Sequence, residues 1–200
     1  MFHRLHLFLL TGLLGLAAAP RLWTFEDDAP GAPARGFTTA SGTWGVVSLP
    51  EGGKALAQSA SSPDDVFNVA LADGASAQDL DLSVRLRAVA GKDDQGGGLV
   101  WRARDAKNYY IARFNPLEDN FRVYHVVAGV RTQLQSADVK CSSDWHALRV
   151  TMTGDHITGG LDGKPLLDVR DATIKGAGMV GLWSKADART QFDDLRLDKK

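Results

Sequence analysis

The chain has 200 residues and a formal net charge of −1, with 23 Lys and Arg against 24 Asp and Glu. So even a balance carries no electrostatic footprint for nucleic acid or for an anionic membrane surface. The single cysteine, Cys141 in "DVKCSSDW", excludes an internal disulfide and reads as a loop thiol, with His146 the one histidine near it in sequence.

The first segment is "MFHRLHLFLLTGLLGLAAAP". Arg4 gives it a basic start, and the apolar run from Leu5 to Leu16 is broken only by His6, Thr11 and glycines. That run is too short to anchor across a bilayer, and small residues follow it, so residues 1–17 read as an export signal. Gly15-Leu16-Ala17 puts small residues at both positions that cleavage requires, whereas a cut after Ala19 would leave Pro20 beside it. No cysteine follows to carry a lipid. The expected product is exported, periplasmic or extracellular, with no membrane insertion.

What remains, about 180 residues, is enough for one domain with a proper core, placed at residues 22–198. Only Glu26, Glu51 and Glu118 are glutamates; every other acid is Asp. Aspartate suits turns and strand ends, where it bonds nearby backbone, while helices favour Glu.

In chain order, a first strand is expected near "WTFE", and "AQSASSPDD" (57–65) is a polar loop. "VFNVAL" (66–71) is a strand, and "DLDLSVRLRAV" (79–89) sets Leu80, Leu82, Val84 and Leu86 on one face against Asp and Arg on the other. "GGG" (96–98) precedes a strand rather than a helix, so it is a bulge or tight strand start and no phosphate loop. "WHALRVTM" (145–152), "HITGGL" (156–161), "PLLDV" (165–169), "GMVGLW" (178–183) and "QFDDLRL" (191–197) complete the series. Asp162-Gly163 and Ala128-Gly129 read as hairpin turns. No stretch holds a helical period over three turns. The fold class is all-β, a sandwich or barrel.

The stretch 98–134, "GLVWRARDAKNYYIARFNPLEDNFRVYHVVAGVRTQL", carries the candidate chemistry. With Arg104 opposite Asn108, Arg102 faces Tyr110 and Trp101 faces Ile111. With Phe114 opposite Phe121, Tyr110 faces His125 and Ile111 faces Tyr124. Alternation then predicts one face of Leu99, Trp101, Tyr109, Ile111, Tyr124 and Val126, taken as core. The other holds a row, Arg102, Tyr110 and His125. A ring beside a cation and a tautomeric donor suits a sugar, whose apolar face stacks while its hydroxyls are bonded. Alternatively, Arg102 and His125 lie on a solvated face and merely support Tyr110. His125, His146 and His156 lack zinc-ligand spacing.

Three stretches, "GGLVWRARDAKNYYIARFNPLEDNFRVYHVVAGVRTQL", "DWHALRVTMTGDHITGGLDGKPLL" and "GMVGLWSKADARTQFDDLRL", resemble the concanavalin A-like lectin/glucanase sandwiches of secreted bacterial proteins. They are most similar to the group of 3-keto-disaccharide hydrolase domains, related to laminin-G-like domains. The resemblance covers nearly all the chain beyond the signal. It implies a two-sheet antiparallel jelly roll with a concave face that holds glycans in relatives. The glucanase branch catalyses with E-x-D-x-x-E on one strand, one carboxylate as nucleophile and one as acid, and this sequence has no such motif. Chemistry would need other acids, or a 3-keto sugar whose ketone acidifies the neighbouring C–H. His125 would then be the base and Arg102 the partner of the oxyanion.

The resemblance also implies that chain ends meet, bringing "FEDD" (25–28) near "FDD" (192–194). Related glucanases hold a structural calcium beside the last strand through an Asp after an aromatic residue, and Asp193 after Phe192 matches. Glu26 or Asp27 would complete the oxygen donors; solvated turn aspartates are the alternative. The sequence thus leads to an exported carbohydrate-binding sandwich. Action on 3-keto-disaccharides or related glycosides is the second reading, and a protein-interaction module of the cell envelope the third.

Overall fold

Period-two alternation becomes strand at every place where it is expected. The computed structural model describes residues 19–140 and 142–200, so the export signal and Cys141 lie outside the described residues. In chain order, β1 is Arg21–Trp23, β2 Phe37–Ser41, β3 Trp44–Ser48, β4 Lys54–Gln58 and β5 Phe67–Ala77. Next come β6 (Leu80–Ala90), β7 (Gly97–Asp105), β8 (Asn108–Asn115), β9 (Asn120–Val127) and β10 (Val130–Asp138). The last five are β11 (Trp145–Thr153), β12 (His156–Leu161), β13 (Lys164–Arg170), β14 (Gly178–Lys185) and β15 (Arg189–Lys199). No helix occurs among the described residues.

The strands form two antiparallel sheets. The first runs β13-β12-β11-β6-β15-β4-β3, with β1 beside β15, and the second β10-β9-β8-β7-β14-β5-β2. Chain ends meet, since Trp23 pairs with Leu195. In β6, Leu80, Leu82, Val84 and Leu86 are buried against the second sheet while Asp81, Arg85 and Arg87 point away. The shared core includes Phe192 and Leu148 from the first sheet, and Leu99, Trp101, Phe114 and Phe121 from the second. Both expected hairpin turns form with positive φ at each central residue: 51° and 82° at Ala128-Gly129, 52° and 77° at Asp162-Gly163. That geometry matches the twist of the flanking strands. The glycine run starts β7, and a Cβ on Gly98 would sit 1.8 Å from the Ala112 carbonyl oxygen, so only glycine allows this approach.

The β8–β9 register is as expected, with Tyr110 opposite His125, Ile111 opposite Tyr124 and Phe114 opposite Phe121. The β7–β8 register differs. Trp101 pairs with Tyr110 and Val100 with Ile111, and the hairpin closes at Asp105 opposite Asn108. Residues 102–104 bulge against Tyr109 alone, with Arg102 left-handed at φ 47°. Closure one residue later than expected and the two extra residues of the bulge together leave every residue before it one place from the expected register. Hence Leu99 and Trp101 share the inner face with Tyr110, while Tyr109, Ile111, Tyr124 and Val126 lie on the outer one.

Candidate functional site

Arg102, Tyr110 and His125 do come together, but as a clamp beneath the chain between β13 and β14. Tyr110 is fully buried, stacked on Trp101 with ring centroids 5.5 Å apart. Its hydroxyl donates to Asp171 Oδ1 (2.5 Å) and accepts from the Ile174 N–H (3.1 Å). Arg102, 3% exposed, donates to the carbonyls of Gln78, Ile174 and Gly154. His125 Nδ1 lies 3.6 Å from Asp171 Oδ2. The donors of the first two residues are thus spent on the chain itself. The expectation that Arg102 and Tyr110 lie on an open face is corrected: both are buried and bonded to the chain, on the inner side that Tyr110 shares with Trp101.

The acidic ends meet as well. Burial most of all, joined by the charges of Asp194 and Glu26, raises the Asp193 carboxyl from 3.8 to about 6, against the opposing pull of the Asp194 N–H and Arg85. The donors do not fit calcium. Lys54 Nζ already binds the Glu26 and Asp28 carbonyls at 2.6 and 2.8 Å, and the Lys54 N–H takes Glu26 Oε1 at 2.9 Å. Asp27 offers its carbonyl to Arg35 at 2.7 Å. No three Asp, Glu, His or Cys side chains among the described residues gather as a metal set. Lys54 and Arg35 thus hold oxygens of Glu26, Asp27 and Asp28 that a cation would need, while the Asp193 carboxylate has the Asp194 N–H at 2.7 Å and Arg85 at 3.7 Å.

The outer face of the second sheet is different in kind. Val69, Val100, Ile111, Val126, Tyr109, Tyr124 and Trp183 form a second buried cluster there. Sheet curvature makes this possible. Arg131 on β10 sets its guanidinium 4.6 Å from the Tyr124 ring centre, 5.8 Å from that of Trp183 on β14 and 5.3 Å from that of Phe67 on β5. A flat sheet would hold β10 and β14, four steps apart, about 19 Å from one another. The face is therefore a trough, closed enough to bury its own floor. Gly98, opposite both Arg113 and Trp183, leaves its middle without a side chain.

Charge lines this floor. Arg113 is 1% exposed and donates to Asn120 Oδ1 (2.9 Å), Glu118 Oε2 (3.0 Å) and Tyr124 Oη (3.3 Å). Arg122 also donates to Glu118 Oε2, at 2.8 Å. Burial alone would raise the Glu118 carboxyl, but the bonds from Asn120 and Arg113 and the charges of Arg113 and Arg122 outweigh it and bring it from 4.5 to about 2. Asp94, 3% exposed, accepts from Asn115 Nδ2 at 2.9 Å. Burial lifts its carboxyl from 3.8 to about 6 against the pull of Arg113 and Lys185.

Four buried polar atoms on this face have no hydrogen-bond partner: Tyr109 Oη, Arg113 Nε, Arg131 Nη1 and Trp183 Nε1. The Trp183 N–H is close enough to Tyr109 Oη to oppose the effect of burial, which raises that phenol well above its ordinary value. The pair nonetheless lacks the geometry of a bond, and each atom is left wanting one. Sequence reasoning missed this face by assigning Tyr109 and Tyr124 to the core. A signal was present: the correct β8–β9 register sets Arg113 opposite Arg122. Like charges directly opposite are unfavourable unless something bridges them, and Glu118 does.

No protein-family model matches the sequence, and no curated protein matches it by sequence. Solved structures are similar in fold. One is the carbohydrate binding module CBM66 from Bacillus subtilis, at 22% identity and a TM-score of 0.69 over 80% of this chain and 94% of that one. Another is an apo Crh5 transglycosylase, at 14% identity and 0.66, covering 92% of this chain and 86% of that one. A third is a Bacillus licheniformis beta-glucanase, at 11% identity and 0.60, covering 92% and 99%. Identities this low speak for the fold alone, and the fold is the concanavalin A-like jelly-roll sandwich.

Proposed function

We propose that the chain is an exported carbohydrate-binding domain that holds a saccharide in the trough of its second sheet. The observation that carries this reading is the set of four unpartnered buried polar atoms gathered on that one face. Each such atom costs about 1–3 kcal/mol, and native proteins answer the cost with ordered water or with a ligand. A sugar presents hydroxyls that both donate and accept, so it can serve Tyr109 Oη and Trp183 N–H together. A carbohydrate binding module of the same fold supports the reading. Calorimetric titration with a broad glycan panel tests it. Tyr109→Phe should weaken binding about fivefold, the worth of one hydrogen bond, with unfolding unchanged. Absence of saturable binding to every glycan would overturn it.

A second reading, glycoside hydrolysis, is favoured by one observation. Asp94 and Glu118 flank the trough with carboxyls moved in opposite directions, to about 6 and about 2. Environments that drive a pair of carboxylates apart in this way assign one as acid and the other as anion. Against it, Glu118 Oε2 is already bonded to Arg113, Arg122 and Asn120. New reducing ends released from the glycan panel by wild type and absent with Asp94→Asn would establish it. Turnover of 3-keto-disaccharides that survives Asp94→Asn but not His125→Ala would instead restore the His125 base.

A further inference from the structure

Resting on the saccharide reading above, we propose that the trough selects an acidic saccharide, and that Arg131 is the residue that pairs with its carboxylate. Each other cation of the trough has an anion. Arg113 and Arg122 share Glu118 at 3.0 and 2.8 Å. Lys185 pairs with Asp64 and stands 3.7 Å from Asp94. Arg131 alone in this set makes no contact ion pair and no side-chain hydrogen bond among the described residues, Asp94 acting on it only at longer range, and its Nη1 is buried.

Its position is nonetheless set. The guanidinium rests over Tyr124, Phe67 and Trp183, which hold its plane without using its N–H donors. Those ring faces are covered by the cation, so recognition falls to the N–H edge rather than to stacking on a sugar ring. A half-buried guanidinium has lost some of its water and, in that setting, a charged acceptor gains more than a hydroxyl does. The neighbouring charges balance, with Glu118, Asp94, Asp64 and Asp138 against Arg113, Arg122, Lys185 and Arg131, so the preference rests on the unused N–H edge of Arg131 and not on a net positive field. A uronate carboxylate is planar and takes two parallel N–H bonds, the geometry a guanidinium offers.

The test uses galacturonate, glucuronate and mannuronate oligosaccharides, each as the free acid and as its methyl ester, with neutral glucans alongside. Titration at pH 7 should show at least one free acid binding tighter than its ester on the order of tenfold, and less so at high salt. Arg131→Gln should erase that preference while a cooperative unfolding transition is retained, and Arg131→Lys should restore some of it. Equal binding of acid and ester, binding confined to neutral glucans, or a preference that survives Arg131→Gln overturns this inference and leaves the saccharide reading standing. If no saccharide of either kind binds, both fall.

Discussion

Tyr109 and Tyr110 are adjacent on one strand, both wholly buried, and opposite in every other respect. Tyr110 points between the sheets, where its hydroxyl both donates and accepts. Tyr109 points into the trough, where its hydroxyl has no partner. The same contrast separates the two faces: on the inner one Trp101 N–H meets Met152 Sδ at 3.1 Å, on the outer one Trp183 N–H meets no acceptor. Elsewhere only Gln58 Oε1 and His125 Nδ1 are buried without a partner among the described residues, whereas four such atoms gather on the outer face, as on a surface awaiting a ligand.

The sharpest way to break this comparison is to truncate the inner face. Phe114→Ala should destabilise by about 3–5 kcal/mol in urea unfolding, as buried aromatic truncations do. A loss below about 1 kcal/mol would mean that Phe114 is not the core residue its burial indicates.

Next in size is a pH effect from the trough. Asp94 holds its proton more tightly folded than unfolded, so its contribution is full below 3.8 and lost as pH rises through about 6. The change is up to about 3 kcal/mol. Asp94→Asn should flatten this decline, leaving the share due to Asp193, whose carboxyl is raised over the same window. Glu118 acts in the other direction: its stabilisation is present above 4.5 and lost as pH falls towards 2. Melting temperatures from pH 2 to 8 for wild type and Asp94→Asn check both signs.

The tyrosine pair gives a smaller and more direct contrast. Tyr110→Phe leaves the Ile174 N–H without its acceptor and should cost about 1–3 kcal/mol. Tyr109→Phe removes an unpartnered hydroxyl and should fall within about 0.5 kcal/mol of wild type. Equal losses from the two would erase the distinction between the faces. The smallest expected effect is none: with Lys54 already on the carbonyls of Glu26 and Asp28, melts in calcium and in chelator should coincide. A rise in calcium that Asp193→Ala abolishes would show that the acidic ends take the ion after all.

The β8–β9 pairing was legible because Phe114 and Phe121 bracket the polar turn "NPLEDN" and leave one reasonable register. The β7–β8 pairing was not. Its bulge turns on Arg102 adopting a left-handed conformation, which glycine would announce and arginine does not. The error carried Arg102 and Tyr110 onto the wrong face and took the site with them.

Alternation, aspartate-rich turns and two hairpin turn signals were enough to determine an all-β sandwich or barrel, because a strand's side-chain period is a local property. Which face of β7, β8 and β9 turns inward could not be settled in that way, since Trp101 and Tyr110 on one side and Tyr109 and Ile111 on the other are all buried. Only the folded sheet decides it. Its curvature carries Arg131 across to Phe67, five strands away, and burial of a second cluster beneath that arginine is a consequence of shape that no local pattern encodes.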